Sequence, residues 1–367
     1  MKEKPTIAII IPGGIGTGRN NIGVPVLERI VKLLSADFNL TVFQLYKINE
    51  GYVANDFDLI ETYSTNRMLK NLTFFFVFWK MYRLRRFSVV HGFWAHPSGF
   101  LAVLVGKLFR IKSIVSVLGG DAIALPEIKY GQLQGILSRK LIFWTLREAN
   151  EVVLLTKYLE NNLNAYGFLR KGIKIIPWGI DTNLFHYRQK QMDNVIEFLH
   201  IGNLYPVKDQ ETLLRAFKII SESIPAHLTI VGEGICEDSL KVLMVQMNLL
   251  QSVTLRGQLP YEQLPSLYHK SDILLHTSLS EGQCEVVTEA MSCGVLVCGT
   301  KVGLMYDLPT CCVAVPIRDY EGLAMHVVEL LNDSSRINEI RSNALEWSKA
   351  HSINWTVKEI KKMYQEI

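Results

Sequence analysis

Two glutamates, Glu281 and Glu289, stand with seven residues between them in a segment that joins a predicted buried strand, 273–276, to a short helix. Gly294 is expected to end this helix, because glycine readily adopts the left-handed conformation after a last helical residue. The free backbone N–H groups at such a helix start favour an anion such as phosphate. N–H donors for phosphate and carboxylates for hydroxyl groups together suit a sugar nucleotide. On spacing alone, Glu281 is equally well interpreted as an N-terminal helix charge and Glu289 as a solvated side chain.

A second group of candidate residues follows a predicted strand over 196–201. That strand ends in Gly202-Asn203, and a helix with helical apolar spacing begins after Asp209, a residue type that caps helices well. Lys208 stands directly before this cap, where a cation is unfavourable to the helix dipole. A bound phosphate would explain the lysine, and a plain surface position is the alternative.

Further strands of the second half alternate with helices. Residues 228–231 lead into Gly232, and residues 253–255 lead into the pair Arg256-Gly257. Strands that alternate with helical segments predict parallel strands joined by crossover helices. In such sheets, ligands bind at the carboxyl ends of the strands.

The first half opens with an apolar, β-branched run over residues 6–11, which is typical of a buried parallel strand. A turn with Gly14, Gly16 and Gly18 follows, and it lets a ligand approach the backbone closely. The next predicted strand, 40–45, ends without the acidic residue of the dinucleotide-binding fingerprint. Three interpretations stay open: a loop that shapes an acceptor or phosphate pocket, a purely structural turn, and an NAD site, which the missing acid disfavours.

Two histidines and an aspartate follow later strands of the first half. His91 lies at the end of one predicted strand, and His96 lies in the turn before a helix over 100–109. Asp121 follows the predicted strand over 113–118. Each side chain is either packed inside the fold or part of a site, because these loops are where α/β sheets place ligands.

Residues 66–87 combine aromatic side chains with basic flanks. The apolar part is too short to span a bilayer. The composition fits a helix that lies in a membrane interface, and the alternative is a core helix of a large domain with basic ends.

The sequence predicts no metal site. The six cysteines all lie in the second half without a CxxC pair, and the histidines show no metal-ligand spacing. The triplet Asp56-Phe57-Asp58 has a spacing that can hold a metal, but it lies in a polar loop and is interpreted as solvated. This cysteine usage is typical of a reduced, cytoplasmic protein. Neither a signal peptide nor a spanning apolar run is visible.

The net charge of +4 hides an asymmetry. Residues 1–180 carry 23 Lys and Arg against 12 Asp and Glu, whereas residues 181–367 carry 16 against 23. The basic half suits anionic lipid, an acidic acceptor or nucleic acid. Nucleic acid is the weakest of these partners, because residues 66–87 are the one segment that interleaves basic and aromatic residues.

The chain of 367 residues is long enough for two domains. The turn-rich segment 177–185, with polar residues up to 194, predicts a linker. The predicted organisation is an acceptor-binding Rossmann-like domain over 1–180 and a donor-binding one over 181–350. A C-terminal helix over 351–367 is expected to pack back towards the first domain.

Five motifs along residues 88–330 resemble those of the retaining sugar-nucleotide transferases of glycosyltransferase family 4. In chain order, 89–94 resembles the V-V-H-A-H-W strand end, 176–181 the I-P-N-G-V-D linker, 201–209 the G-R-L-x-P-x-K-G turn, 231–234 the V-G-x-G turn, and 280–294 the E-x7-E motif followed by E-A-M-A-C-G. Each motif alone is weak, and five in order are specific.

The resemblance implies the α/β GT-B architecture, with two parallel sheets facing an inter-domain cleft. It implies that Glu281 touches donor-sugar hydroxyls, that Glu289 touches the ribose and that Lys208 neutralises the diphosphate. The amides of Gly282, Gln283 and Cys284 would line the sugar and phosphate. The other implied donor residues are Gly202, Asn203, Gly232, Arg256 and Gly257, the last three near the base.

The implied reaction is retaining glycosyl transfer from a nucleotide sugar to a glycan or lipid-linked acceptor, without a bound metal. Positive charge and fixed N–H donors would stabilise the departing nucleoside diphosphate. Surface polysaccharide, lipopolysaccharide or glycolipid biosynthesis is the expected setting. The expected location is the cytoplasm, at the inner face of the membrane, with residues 66–87 against anionic lipid.

Two departures from the family pattern bear on catalysis. Asn203 stands where arginine is usual, and Leu118 stands where an acceptor-side histidine is usual. The candidates for a group that assists the transfer are then His96 and Asp121. The predicted catalytic set is Glu281, His96 and Asp121, and the predicted acceptor or phosphate loop is Gly14, Gly16 and His91.

Two other functions are alternatives to this interpretation. A catalytically degenerate GT-B fold could bind a nucleotide or glycan as a partner protein, as the losses at Asn203 and Leu118 suggest. Retention of both glutamates argues against it. The third hypothesis is that the chain is another kind of GT-B enzyme, such as a sugar-nucleotide epimerase.

Overall fold

The computed structural model describes residues 4–18, 23–63, 70–189 and 192–367. The chain divides into two compact units, of which the first comprises Met1–Pro177 with Asn354–Ile367 and the second comprises Trp178–Ile353. Two sequence predictions fall partly outside the described residues: residues 66–69 of the aromatic segment, and residues 190–191 of the polar stretch that follows the linker.

The first unit is built on a seven-stranded sheet in which every strand pair is parallel, in the order β3-β2-β1-β4-β5-β6-β7. The strands are β1 Thr6–Ile11, β2 Asn39–Gln44, β3 Asp58–Glu61, β4 Val89–Phe93, β5 Lys112–Val117, β6 Glu151–Leu154 and β7 Lys174–Ile175. Five consecutive residues of β1 are buried because helices cover both faces of the sheet, as the apolar run predicts.

Among the described residues, five α-helices lie between these strands: α1 Pro25–Leu34, α2 Lys70–Arg85, α3 Phe100–Phe109, α4 Ile136–Glu148 and α5 Lys157–Ala165. The aromatic segment is thus a helix over most of its length. Phe74 and Phe78 are fully buried against the sheet, whereas Phe76 and Trp79 are exposed. The core-helix interpretation is confirmed for the face with Phe74 and Phe78, and contact of the exposed face with a membrane stays a prediction.

The triplet at Asp56 to Asp58 differs from the predicted solvated loop. Asp58 opens β3, a strand that the sequence did not indicate, and its carboxylate pairs with Arg85. Asp56 pairs with Lys32 at 3.2 Å. Both aspartates are therefore engaged by cations, although they remain partly exposed.

The second unit repeats the design with six parallel strands in the order β10-β9-β8-β11-β12-β13. The strands are β8 Ile196–Ile201, β9 Ala226–Val231, β10 Val253–Leu255, β11 Ile273–His276, β12 Leu296–Thr300 and β13 Val313–Val315. The helices are α6 Gln210–Ser223, α7 Glu237–Gln246, α8 Leu264–Tyr268, α9 Glu285–Cys293, α10 Leu304–Asp307, α11 Tyr320–Leu331 and α12 Ser334–Ala350. Two α/β units with parallel sheets confirm the predicted fold class.

The last helix, α13 Ile353–Glu366, contributes its residues from Asn354 onwards to the first unit. Tyr364 packs there against Phe38, with ring centroids 5.4 Å apart. Among the helices that the structure describes, none is long and apolar enough to cross a membrane.

Each sheet has a topological switch point, where the strand order reverses. It lies between β1 and β4 in the first unit and between β8 and β11 in the second. Open parallel sheets bind their ligands beyond the carboxyl ends of the strands at this point. The loops after these four strands are therefore the places to examine.

Candidate functional site

The loops after β8 and β11 carry the residues predicted to hold a donor. After β8 the chain passes Gly202 and Asn203 into a short 3-10 turn that ends at Lys208. Asp209 follows with φ 47°, and its side chain accepts the N–H of Thr212, which confirms the predicted N-cap of α6. After β11 the chain runs through the glutamate segment into α9.

The Glu281 carboxylate contacts three side chains of this site, all through one of its two oxygens. Its Oε1 lies 2.5 Å from Nζ of Lys208, 2.7 Å from Oγ of Ser278 and 3.3 Å from Nε2 of His276. Within the part of the chain that the structure describes, Oε2 makes no hydrogen bond. The carboxylate is thus fixed through one oxygen, and the other is left for a ligand.

Charge is retained on both members of the Lys208–Glu281 pair. Burial alone would raise the pKa of the Glu281 carboxyl, but Lys208 and His276 hold that pKa well below its usual range. Burial likewise disfavours the Lys208 ammonium, and the Glu281 carboxylate nevertheless raises its pKa above the usual value. Because the two side chains are only 22% and 13% exposed, their attraction is less screened by water than that of a surface pair.

Glu281 also belongs to a group that offers metal ligands. Among the residues described, His276, Glu281 and Cys284 place their ligand atoms within 4.8 Å of one another. Imidazole, thiolate and carboxylate are all zinc ligands. Lys208 already places its ammonium against this carboxylate, and burial raises the pKa of the Cys284 thiol well above its usual value. In the structure the Cys284 thiol lies 3.3 Å from Nε2 of His276, and the absence of a bound metal stays a prediction.

The Gln283 side chain clamps the first residue of the second unit. Its Nε2 donates to the main-chain carbonyl of Trp178 and its Oε1 accepts the N–H of Trp178, both at 2.6 Å. The main-chain carbonyl of Gln283 accepts the N–H of Leu304 at 3.1 Å. These contacts hold the turn from both sides and engage the Gln283 side chain inside the second unit, so contact of the turn's amides with a ligand stays a prediction.

The turn passes directly into α9. Cys284 is the N-cap with φ 83°, a left-handed conformation that is uncommon outside glycine. At the other end Gly294 has φ 81°, which confirms the predicted helix stop. Because the first backbone N–H groups of a helix have no helical acceptor, the start of α9 provides donors that an anion would use.

The second glutamate of the motif lies on α9 and is buried. Oε2 of Glu289 accepts a hydrogen bond from Oη of Tyr268 at 2.7 Å. Burial raises the pKa of this carboxyl to about 7. Its contact with a ribose stays a prediction, and in the structure the tyrosine holds it.

The loops after β9 and β10 lie at the same edge of the second sheet. Gly232 donates its N–H to the carbonyl of Gly257 at 2.9 Å. A Cβ at Gly232, where φ is 142°, would lie 1.9 Å from the carbonyl oxygen of Gly202, so only glycine fits. Arg256 is exposed beside Gly257, and Asn203 continues the loop from Gly202. The structure thus brings the predicted donor residues of four strands to one edge.

His200, which no sequence pattern marks, lies within β8 next to these loops. Its Nδ1 donates to the carbonyl of Leu275 at 2.9 Å, and its Nε2 has no hydrogen-bond partner among the described residues. Nε2 would lie 3.7 Å from a Cβ built on Gly202. Burial lowers the pKa of His200 to about 3, so the ring is neutral and Nε2 is a buried acceptor.

In the first unit, the loop after β1 is the predicted glycine-rich turn. Gly14 and Gly16 have φ values of 117° and 58°. A Cβ on Gly16 would lie 2.3 Å from Cδ1 of Tyr52, so the tyrosine ring packs directly against the backbone. The N–H of Gly14 donates to Oγ1 of Thr17 at 3.2 Å. The glycines are required for the shape of the turn, and contact with an acceptor or phosphate stays a prediction.

His91 is fully buried near the end of β4. Its Nδ1 lies 2.8 Å from Oη of Tyr364, and its Nε2 lies 2.8 Å from Oγ of Ser116. Burial lowers the pKa of His91 to about 3. Both ring nitrogens are therefore used inside the unit, where they tie β4 to β5 and to α13.

Asp121 joins the loops that follow β4 and β5. Its Oδ2 accepts the N–H of Ala95 at 2.7 Å, and its Oδ1 accepts the N–H groups of Gly119 at 2.9 Å and Leu118 at 3.2 Å. Burial raises the pKa of this carboxyl, and these N–H groups oppose the shift. The geometry makes Asp121 a positioning residue for both loops.

His96 lies half-buried in the turn that Asp121 holds. Two residues earlier, Trp94 has φ 69°. Burial lowers the pKa of His96. Its main-chain carbonyl accepts a hydrogen bond from Nε2 of Gln132 at 3.1 Å. The first unit therefore brings His96 and Asp121 together, whereas Glu281 belongs to the second unit.

Several residues of the donor loops carry little signal in the sequence. His200 and Tyr268 lie inside apolar segments, and Trp178 contributes only backbone atoms to its contact with Gln283. His276 stands at the end of the predicted strand 273–276, and this position is the one signal in the sequence that could have marked it as a site residue. The structure adds it as a contact of Glu281.

Two family descriptions match consecutive parts of the chain. Residues 28–184 match Glycosyltransferase Family 4, and residues 183–347 match Glycosyl transferases group 1. Together they reach into both units and confirm the family resemblance read from the motifs.

Relatives with glycosyltransferase names support this match. An uncharacterised glycosyltransferase of Methanocaldococcus jannaschii is 23% identical over 290 residues, which are 76% of each chain. The GPI3 subunit of phosphatidylinositol N-acetylglucosaminyltransferase of Saccharomyces cerevisiae is 27% identical over 232 residues, which are 60% of this chain and 50% of that protein. The matched region thus spans half the length of the second relative.

A solved structure extends the likeness over the whole chain. HepE of Anabaena, crystallised in complex with UDP, matches with a TM-score of 0.79 and 17% identity, covering 99% of this chain and 100% of that chain. At this identity the match establishes the fold. Domain content and fold agree, and the chain belongs to the glycosyltransferases of the GT-B fold, among those that join a family 4 domain to a group 1 domain.

Proposed function

We propose that this chain transfers a sugar from a nucleoside diphosphate sugar to a glycan or lipid-linked acceptor, with retention of the anomeric configuration. The expected setting is surface polysaccharide, lipopolysaccharide or glycolipid biosynthesis. The observation that carries the proposal is the charged cluster at the second switch point, where Lys208 and Glu281 lie beside the start of α9. A nucleotide sugar offers the complementary groups, a diphosphate and several hydroxyls.

Glu281 is suited to hold the donor sugar. Lys208, Ser278 and His276 all contact Oε1, so a sugar hydroxyl can donate to Oε2 without displacing them. The carboxylate stays ionised because of its lysine partner, and an ionised acceptor forms a stronger hydrogen bond than a neutral one. The role proposed for Glu281 is therefore to orient the sugar, rather than to exchange a proton.

Lys208 and the backbone donors of α9 are suited to the leaving group. Negative charge develops on the diphosphate as the glycosidic bond breaks, and a fixed ammonium with fixed N–H groups stabilises that charge. We propose that no bound metal is required, because the ammonium already lies at the carboxylate that a cation would use. The UDP complex of HepE, a protein of the same fold, supports a nucleoside diphosphate as the product.

The acceptor is assigned to the first unit. His96 is the candidate for a side chain that assists the transfer, and Asp121 holds its loop through the N–H of Ala95. The replacement His96→Ala should lower turnover while leaving donor affinity unchanged. Unchanged turnover would remove His96 from the mechanism.

A thermal-shift panel of UDP, GDP and ADP sugars tests the donor. One nucleotide class should raise the melting temperature, because a ligand that binds only the folded state stabilises it. Lys208→Ala should abolish the shift, whereas Lys218→Ala should retain it, since Lys218 pairs with Glu222 on the outside of α6. A panel without any shift would refute the donor assignment.

Enzymatic turnover separates the proposal from a degenerate fold that only binds nucleotides. The wild type should transfer or hydrolyse the donor that the panel identifies, and Glu289→Ala should reduce the rate. Binding without turnover would instead support the partner-protein reading.

We also propose a position at the inner face of the membrane, with residues 66–87 near anionic lipid. On α2, Phe76 is 64% exposed and Trp79 is 43% exposed, and the guanidinium of Arg83 lies 5.3 Å from the centre of the Trp79 ring. A relative named for a phosphatidylinositol acceptor supports a lipid-linked substrate. The six free cysteines agree with a reduced compartment.

A further inference from the structure

Three helices of the first unit form one layer against its sheet. Phe78 of α2 packs against Phe109 of α3, with ring centroids 5.6 Å apart. Phe100 of α3 packs against Trp144 of α4 at the same centroid distance of 5.6 Å. α2 and α3 also share a core cluster with residues of β1 and β4. The outer surfaces of α2, α3 and α4 therefore belong to one side of the unit.

This outer surface carries large apolar side chains that the fold does not bury. They are Leu72, Phe76 and Trp79 on α2, Leu108 on α3, and Ile136 and Leu137 on α4, all between 43% and 72% exposed. The three on α2 recur at helical spacing and form one stripe. Single exposed apolar residues are ordinary, whereas adjacent ones mark an interaction surface, and on α2 the Phe76 and Trp79 rings lie 6.2 Å apart.

The same layer is strongly basic. The ranges of the three helices contain eight Lys and Arg against one acidic residue, Glu148, whose carboxylate pairs with Lys107. Apolar side chains among basic ones match an anionic lipid bilayer, whose headgroups attract the cations and whose acyl boundary accepts the apolar groups.

The first turn of α4 connects this surface to the loop after β4. Oγ of Ser138 donates to the main-chain carbonyl of Gln132 at 2.5 Å. The Gln132 side chain in turn donates to the carbonyl of His96 at 3.1 Å. Ile136 and Leu137 therefore lie only two hydrogen-bonded steps from His96.

We propose that the layer of α2, α3 and α4 binds an anionic membrane, with Ile136 and Leu137 entering the headgroup boundary beside the His96 loop. This inference rests on the proposed function and widens the membrane contact from residues 66–87 to three helices. It also specifies the acceptor, as a lipid whose tail stays in the bilayer while its polar end reaches the His96 loop.

Vesicle flotation of the full chain tests the inference. The wild type should float with vesicles of phosphatidylcholine and phosphatidylglycerol but not with phosphatidylcholine alone. Salt at about 1 M should weaken binding, because it shortens the Debye length to about 3 Å. The double replacement Ile136→Ser with Leu137→Ser should weaken binding about tenfold or more, since two large side chains lose their burial.

A matched control is available in the second unit. Val242 and Val245 on α7 are 56% and 57% exposed, and replacing both by serine should leave flotation unchanged. Undiminished flotation of the Ile136/Leu137 variant would overturn the inference. Light scattering without lipid adds a second check, because a dimer that only this variant dissociates would identify a self-interface instead.

The nucleotide panel keeps the two proposals distinguishable. The Ile136/Leu137 variant should show the same donor-induced thermal shift as the wild type, since neither residue belongs to the second unit. Lost flotation with an unchanged shift supports the inference. Lipid-dependent flotation of a wild type that binds no nucleotide would overturn the proposed function alone.

Discussion

The two sheets have the same strand order around their switch points, but the residues there differ. Those of the second unit are charged, and those of the first unit are neutral. In the second unit, Lys208 and Glu281 remain charged although both are largely buried. In the first unit, the loop after β1 holds glycines, and β4 carries buried groups such as His91, whose ring nitrogens bond inside the unit. One scaffold thus supports two chemical environments.

The difference follows from what lies beside each buried group. Desolvation disfavours charge in both units. It prevails at His91, whose pKa is lowered to about 3, because no opposite charge compensates it. At Glu281 a lysine within contact distance outweighs it. A charged environment suits a diphosphate sugar, and a neutral one suits the hydroxyl of an acceptor.

Removal of Lys208 should have the largest effect on the contrast between the two units. Lys208→Met should lower kcat/KM by about 100-fold or more, because an ammonium aimed at the leaving group is lost and Glu281 is left without its cation. Steady-state kinetics with the identified donor measures this. Adding Glu281→Gln should cost much less than a second independent loss, since the two side chains act as one unit. Fully additive losses would contradict the coupling.

Loosening the turn that follows Glu281 should have the next largest effect. Gln283→Leu keeps the side-chain volume but removes two hydrogen bonds to Trp178, so the donor KM should rise about tenfold with a smaller change in kcat. Gln263→Leu at an exposed position is the control. A variant that melts earlier yet keeps its donor KM would show that the clamp is purely structural.

The first unit should respond in stability rather than in donor binding. Asp121→Ala leaves the N–H groups of Ala95, Leu118 and Gly119 without their acceptor, which should cost about 3 kcal/mol in the free energy of unfolding. Urea denaturation measures this cost. Isothermal titration with the donor should give an unchanged affinity, and a weakened one would contradict the separation of roles.

The two glutamates of the motif should respond to pH with opposite signs. Because burial raises the pKa of Glu289 to about 7, the folded state binds its proton more tightly than the unfolded state, and stability falls as pH rises from about 4.5 to about 7. Glu289→Gln should remove this loss, on the order of 3 kcal/mol at pH 8. Thermal melts at pH 5 and pH 8 measure the difference.

Glu281→Gln provides the opposite case. The pKa of Glu281 in the folded wild type is depressed, so its carboxylate contributes stability at neutral pH. That contribution is lost only as pH falls through the folded-state pKa. The replacement should therefore destabilise the protein at pH 8. Parallel pH profiles for the two variants would refute the contrast.

Features set by neighbouring residues could be predicted from the sequence. Asp209 as a cap, Gly294 as a helix stop and the burial of β1 follow from local residue types, and the structure shows all three. The short edge strand β3 was missed, because its four residues Asp58–Glu61 begin and end with charges and show no apolar run.

The internal contacts of the sites could not be predicted, because they join residues far apart in the chain. Gln283 meets Trp178 across 105 positions, and His91 meets Tyr364 across 273. No local pattern indicates that a glutamine will bond backbone atoms, or that a histidine at a strand end will face inward. The motif identified the donor turn, and only the fold shows what holds it.

The division of the chain also bears on the order in which it can fold during synthesis. The second unit is one continuous segment, Trp178–Ile353, and can close before residues 354–367 are synthesised. The first unit needs Asn354–Ile367, so the hydroxyl of Tyr364 reaches His91 only after this segment has been synthesised. Although most of the first unit is made before the second, it is therefore completed after it.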